Sequence, residues 1–333
     1  MKAVGIIAEY NPFHAGHAWH LKRTREVSQS DVVVCIVSGC FSQRGLPSLL
    51  TLHDKTELAL ANGADLVLQL PAIYACQSAD HFARYALESL AVLGIDSIVF
   101  GSETDDIEML KNLTVKAVDP TTSQARNQTG LGPNDILGQQ YVRWAHDLGI
   151  SCISIPRDNK YISATQSRKN YFSGISADHD ERFLASQRWE SYYPFLRLYL
   201  MMSSPQRLSS LFLVTEGIEN RLIRCARECG TWPAFLDACI TKTYSRARIQ
   251  RTCLMILMQV EKDFMSEHDH FDYALVSGFN EKGREYLREH EDARVITRAS
   301  ALPDWLRIAL LKETELYETV LTQKTRKGIV YET

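Results

Sequence analysis

The sequence predicts an α/β fold, a parallel sheet clad by helices, followed by an all-helical region. Two observations carry this. Over residues 1–175, short apolar or β-branched runs alternate with stretches of helical periodicity, the pattern of right-handed βαβ units. Beyond residue 176 one helical stretch follows another, and no strong strand run intervenes. The chain is therefore divided into two expected domains, 1–175 and 176–333. Its 333 residues, 45% hydrophobic and 23% charged, suffice for substantial cores and exclude a disordered or fibrous chain.

Each element has a local reason. Residues 3–8 form a short apolar run that reads as a buried first strand, and Glu9 interrupts it before it reaches the length of a secretory hydrophobic segment. A loop around Asn11-Pro12 leads to a helix from about Gly16. Residues 31–37 are β-branched and closed by Ser38-Gly39, as expected of a strand buried on both faces. Residues 54–62 are helical and end at Gly63, 65–70 form a strand stopped by Pro71, 78–93 are helical, and 97–100 form the next strand. From 103 to 133 the periodic signal gives way to loop chemistry, notably at 119–123 and 130–133. Asn134 is expected to cap a helix running to about 147, before a strand at 150–155. Helical periodicity then covers 189–202, 214–229, 232–242, 246–264 and 281–289.

Charge and cysteine usage narrow the function classes. A net charge of −3 means that a polyanionic partner must be met by a local basic patch, not by the molecule as a whole. The eight cysteines contain no Cys-x-x-Cys pair and several lie in apolar runs, so they read as small buried hydrophobes in a reducing cytoplasm. No stretch approaches the ~18 consecutive apolar residues of a membrane span.

The most informative segment is Ile7-Ala8-Glu9-Tyr10-Asn11-Pro12-Phe13-His14-Ala15-Gly16-His17, a strand end, a proline turn and His-x-Gly-His opening a helix. A helix N-terminus offers unpaired N–H groups and a positive dipole end to a polyphosphate, and Gly16 permits close approach. His14 and His17 can donate to phosphate oxygens and steady charge that builds at phosphorus. Two other readings compete: a structural histidine at a strand end, and zinc ligation by His14, His17 and His20. Phosphate fits Gly16 and the lack of a nearby fourth ligand better than zinc does. Ile162-Ser163-Ala164-Thr165-Gln166-Ser167-Arg168 supplies hydroxyls at a second helix start, with Arg168 one turn on. Such a stretch can hold pyrophosphate, and it is equally a common helix cap.

These two segments resemble the paired signatures of the HxGH nucleotidyltransferase superfamily, which implies a Rossmann-like fold. Longer stretches resemble one subfamily, the bacterial tRNA(Met) cytidine acetate ligases. They are the residues from Lys2 to His14, Ser38-Gly39-Cys40-Phe41-Ser42-Gln43-Arg44-Gly45, Phe100-Gly101-Ser102-Glu103, Pro133-Asn134-Asp135-Ile136, Glu216 to Arg221, and Lys242-Thr243-Tyr244-Ser245-Arg246-Ala247-Arg248-Ile249-Gln250-Arg251. The resemblance implies activation of acetate by ATP, with Mg²⁺ as its expected companion, to acetyl-adenylate, followed by acetylation of N4 of the wobble cytidine in elongator tRNA(Met). It implies ATP contacts from the loop 7–20, including His20, and from Gly101, Asn134 and Arg157. Asn134 also reads as an N-cap and Arg157 as a solvated loop cation. Gln43 and Arg44, after the second strand, are suggested contacts for the small acid or the phosphates. Lys242, Arg246, Arg248 and Arg251, four cations in ten residues, are suggested tRNA contacts, although their spacing does not make one helical stripe. The 103–134 segment is shorter than in the subfamily, and Thr243 stands where a basic residue is common. An adenylyltransferase acting on a small phosphorylated or carboxylate metabolite without RNA is therefore the alternative, and a degenerate RNA-binding module a third reading.

Overall fold

The computed structural model describes residues 1–114, 131–158, 160–175 and 180–321. Five parallel strands, β1 (Ala3–Ala8), β2 (Val32–Ser38), β3 (Leu66–Leu70), β4 (Ser97–Ser102) and β5 (Ser151–Pro156), lie in the order β5-β4-β1-β2-β3. The register aligns Ala8 with Val37 and Gly101 with Ile155, so these strands end along one edge of the sheet. The order reverses between β1 and β4, the place where open α/β sheets bind ligands.

Period-two alternation decides which side chains face which layer. Val32, Val34 and Ile36 of β2, with Leu66, Leu68 and Leu70 of β3, pack on the face covered by helices Ala79–Val92 and Pro133–Asp147. Val33, Cys35 and Val37, with Val67, pack on the opposite face against Leu21 of helix Ala15–Ser28 and Ala59 of helix Leu52–Ala61. Every residue of β2 is buried, as a central parallel strand requires.

The α/β expectation holds, with one difference in the second half. Residues 189–267 are helical in the described structure, but the chain then returns to the sheet. Strand β6 (Ala274–Phe279) pairs antiparallel with β3, and β7 (Val295–Ile296) pairs parallel with β6. The sheet thus has seven strands and is mixed. The run Ala274-Leu275-Val276-Ser277-Gly278-Phe279 is short and carries a glycine, which weakens a strand signal. That glycine is needed, because a Cβ at Gly278 would stand 2.6 Å from Thr56. Helix Asp304–Glu318 then packs back on the first half, and one continuous hydrophobic cluster contains both Leu68 and the helical residues Trp189, Leu196 and Leu254.

Smaller differences concern ends. Residues 246–264 form two helices, Arg246–Leu257 and Lys262–Glu267, separated at Gln259, whose φ is +52°. Helix Pro133–Asp147 is capped at Gly132, with Asn134 inside its first turn. Within 103–133, where loop chemistry was expected, Ile107–Thr114 is helical, while the loop at 119–123 lies outside the described residues. Six of the eight free cysteines are buried, as expected of small hydrophobes. Among the described residues no helix is long and apolar enough to cross a membrane.

Candidate active site at the sheet's carboxyl edge

The loop after β1 is shaped by its own side chains. Tyr10 adopts a positive φ of +47° and sends its ring inward, where its hydroxyl meets Cys35 Sγ at 3.6 Å. His14 is the N-cap of helix Ala15–Ser28: its Nδ1 accepts from the Gly16 N–H at 3.1 Å, while His17 Nδ1 accepts from the His14 N–H at 3.2 Å. The His-x-Gly-His spacing is therefore a reciprocal capping box built from imidazoles. The two rings stack with centroids 3.8 Å apart, and Tyr10 closes on His17 edge-on at 4.9 Å. Gly16 is required by packing as well, since a Cβ there would lie 2.9 Å from the His14 ring and 3.1 Å from Tyr161.

This enclosure fixes protonation. Burial, reinforced by the nearby Arg157 guanidinium, lowers the His14 pKa to about 4. Burial and then His14 hold His17 well below the ordinary histidine value. Burial also brings His20 to about 4, although a hydrogen bond to the Val99 main chain opposes this. His20 Nε2 is buried without a partner among the described residues. In the ligand-free protein the three rings are neutral at pH 7, and each neutral ring keeps one N–H to donate.

A second group assembles after β4 and β5. Glu103, absent from the expected site residues, accepts from Asn134 Nδ2 at 2.9 Å and from the Asp135 N–H at 2.9 Å, and receives Arg157 at 3.4 Å. It caps helix Pro133–Asp147 from outside, which explains why Asn134 itself does not. The buried Asp135 accepts from the Ser102 hydroxyl and the Glu103 N–H, fixing the turn beyond Gly101. A Cβ at Gly101 would meet nothing within 4 Å, so the strand end is open on that side. Asn134 and Arg157 thus meet at Glu103, just beyond the strand end at Gly101, and the Arg157 guanidinium also acts on His14. Glu103 stands directly after β4 at the sheet's carboxyl edge and closes the Phe100-Gly101-Ser102-Glu103 stretch, and those were its sequence signals.

Other expected residues have structural partners. Asn11 is turned into a knot, its Nδ2 donating to the Pro47 carbonyl at 3.2 Å and its Oδ1 accepting from the Leu49 N–H at 3.0 Å. Arg168 donates to the same Asn11 Oδ1 at 2.7 Å, to the Pro47 carbonyl at 2.9 Å and to the Gln187 carbonyl at 3.3 Å. Burial brings its pKa down to about 10. In this state Arg168 clasps the loop from behind instead of offering itself to pyrophosphate. Ser163 caps helix Ala164–Phe172, accepting from the Gln166 N–H at 3.2 Å, and Thr165 is exposed on its first turn. Ile7 and Ala8 end β1, and Glu9, Pro12 and Phe13 lie in the loop itself, with Glu9 accepting from the Gln43 N–H.

The four expected tRNA contacts do not form one patch. Arg251 faces inward and donates to the Gln77 carbonyl at 2.9 Å. Arg248 lies over the Tyr244 ring at 3.9 Å and donates to Thr215 Oγ1 at 3.0 Å. Lys242 and Arg246 are exposed, the latter paired with Asp237. On helix Ile218–Glu228, Arg224 and Arg227 are exposed, whereas Arg221 is held by the Ala238 carbonyl.

A parallel sheet whose order reverses beside a His-x-Gly-His helix start defines a nucleotidyl-transferring class of protein, and the comparisons agree. The sequence matches the family described as HIGH Nucleotidyl Transferase over residues 1–130 and 115–330. It is 32% identical to the tRNA(Met) cytidine acetate ligase of Limosilactobacillus reuteri, with 100% of this chain and 96% of the relative covered. It is 33% identical to the protein of that name from Listeria monocytogenes serotype 4b, covering 95% and 94%. The crystal structure of Thermotoga maritima TmcAL bound with alpha-thio ATP superposes with a TM-score of 0.83 at 25% identity, covering 100% of both chains. The chain belongs to the tRNA(Met) cytidine acetate ligase family. The first alignment runs over 372 positions against 333 residues here, so that relative carries segments without a counterpart in this chain.

Proposed function

We propose that the protein activates acetate with ATP and transfers the acetyl group to N4 of the wobble cytidine of elongator tRNA(Met). The observation that carries this reading is the neutral, stacked His14–His17 pair at the helix start after β1, in a chain like these ligases along its whole length. In the first step a carboxylate oxygen attacks the α-phosphorus, the bond to the β-phosphate bridging oxygen breaks, and pyrophosphate leaves with the electron pair. A carboxylate is already ionised at pH 7 and needs no general base. What the site must supply is hydrogen-bond donation, from His14 and His17, and positive charge, from Arg157 and the helix dipole. In the second step the cytidine amine attacks the acyl carbonyl, AMP leaves, and the amine loses a proton.

The loop 7–20, Gly101, Asn134, Arg157, Ser163 and Thr165 are assigned to the nucleotide, with Arg168 as a positioning residue behind the loop. Residues 1–175 thus hold ATP, and the helical part of 176–333 meets the RNA through Lys242, Arg246, Arg224 and Arg227. Among the described residues no group of three or more His, Cys, Asp or Glu could hold a metal ion. Magnesium would enter with the nucleotide and supply positive charge to the departing pyrophosphate. The free cysteines suit a cytoplasmic location.

The test is pyrophosphate release from ATP with acetate and other small acids, each with and without bulk tRNA. Acetate-dependent release with acetyl label passing to tRNA is expected. Release with a different acceptor and no effect of tRNA would replace this reading with a small-molecule adenylyltransferase. His17→Ala is expected to keep the fold and cut pyrophosphate release by ~10²–10³; near-normal turnover would remove His17 from the reaction.

A further inference from the structure

The strand order separates the two flanks of the β1 loop. Gly101, Glu103, Asn134 and Arg157 occupy the β4–β5 flank, whereas the segment after β2 occupies the other. An in-line displacement brings the nucleophile opposite the departing pyrophosphate. A small acid that approaches nucleotide held on the first flank therefore meets the segment after β2.

That segment is immobilised on every side. Lys55 Nζ donates to the Ser38 and Gly39 carbonyls at 3.0 and 2.9 Å, and Cys76 Sγ to the Ser42 carbonyl at 3.1 Å. Gln43 gives its N–H to Glu9 and its Nε2 to the Gln77 carbonyl at 2.6 Å. The Gly45 carbonyl accepts from Trp189 Nε1 at 2.8 Å. Gly45 has a φ of +71°, and a Cβ there would stand 2.9 Å from the Arg251 main chain. Arg44 sits between these two pinned neighbours, half-buried, and has neither a hydrogen-bond nor an ion-pair partner among the described residues. The other cations nearby are spent: Lys55, Arg168 and Arg251 all donate to main-chain carbonyls.

Electrostatics then defines a need. Two anions, a carboxylate and a triphosphate, must approach within bonding distance. The histidines are neutral, so a fixed positive charge must come from elsewhere on the acid's flank. We propose that Arg44 is the carboxylate receptor of the activation step, its guanidinium fork taking both oxygens of a short-chain acid beside Glu9 and Gln43. This rests on the acid-activating function proposed above. The fork matches a carboxylate in plane and number of donors, and half-burial strengthens the contact relative to a surface pair. The exposed Arg224 and Arg227 are better placed than this recessed residue to reach an RNA backbone.

The experiment is acetate-dependent ATP–pyrophosphate exchange by the full chain without RNA, for wild type, Arg44→Gln and Arg44→Lys, with thermal melting of each. Arg44→Gln is expected to raise the KM for acetate at least tenfold, leave the KM for ATP within twofold and melt like wild type. Arg44→Lys should recover part of the loss. An acetate KM within twofold of wild type in Arg44→Gln would overturn the assignment. So would an unchanged acetate KM accompanied by a raised KM for tRNA in the full reaction, which would make Arg44 an RNA contact. If wild type itself shows no exchange with any small acid, the function fails and not the residue. If Arg44→Gln does not fold, the acetate KM of Arg44→Lys decides: a value within twofold overturns the proposal.

Discussion

At the residue scale, the histidines are conditioned by their neighbours. His14 stacks on His17, and the two rings together cap the helix start after β1. In ligand-free protein, ring resonances of His14 and His20 should titrate near pH 4, against about 6.5 for an unperturbed histidine. Bound triphosphate should raise the His14 midpoint, because an adjacent anion favours the imidazolium. NMR titration with and without a non-reacting ATP analogue measures both, and an apo midpoint near 6.5 would contradict the enclosed geometry. The stability consequence has a definite sign. Between pH 6.5 and 4 the unfolded chain takes up protons that the folded chain refuses, so stability falls as pH falls through that window. Denaturant midpoints at pH 7 and pH 5 should show the loss.

At the element scale, one peptide unit joins the two ends of the chain. The Gly39 carbonyl accepts from Lys55, while the N–H of the same peptide, on Cys40, donates to Glu313 Oε1 at 2.6 Å. Glu313 Oε2 accepts from the Ala72 N–H at 2.7 Å, so helix Asp304–Glu318 caps the chain after β3 and braces the segment after β2 together. Lys55 and Glu313 are both fully buried. Burial pulls the Lys55 pKa down to about 8 and pushes the Glu313 carboxyl up, as for charges held by hydrogen bonds in place of water. Gly39 has no substitute here, since a Cβ would stand 2.3 Å from Glu313 Oε1. Glu313→Gln turns an amide N–H₂ toward a main-chain donor and removes one of the negative charges, with Glu9, that act on Lys55. It should cost about 3 kcal/mol of unfolding free energy, measured by chemical denaturation.

At the scale of the whole molecule, the helical region is joined to the segment after β2 at the sheet's carboxyl edge. Arg251 reaches the Gln77 carbonyl, the same oxygen that Gln43 Nε2 occupies, and Trp189 reaches Gly45. Two sets of charge-reversal variants should therefore behave differently. Arg224→Glu with Arg227→Glu should weaken tRNA binding and its salt dependence while leaving acetate-dependent exchange intact. Arg251→Glu should impair exchange itself and lower the melting temperature, because it places a carboxylate against a carbonyl at the joint. Filter binding, exchange assays and melting curves on the same preparations separate the two outcomes.

Legible along the chain alone are the five parallel strands, the helices at 189–202 and 281–289, and the His14–Gly16–His17 helix start. Each is written in local periodicity, in β-branched runs or in motif spacing, and each can be read without knowledge of distant partners. Tertiary structure alone decided what the cations and the last strands do. Arg168, Arg248 and Arg251 look like free charge along the chain, yet each is consumed by a carbonyl or hydroxyl that folding delivers. Strand Ala274–Phe279 becomes a strand because the β3 edge offers it main-chain partners, and Glu103 becomes a helix cap because the distant start of helix Pro133–Asp147 needs its carboxylate. Hydrogen-bond demand at a buried edge is set by whatever packs there, and spacing along the chain does not encode it.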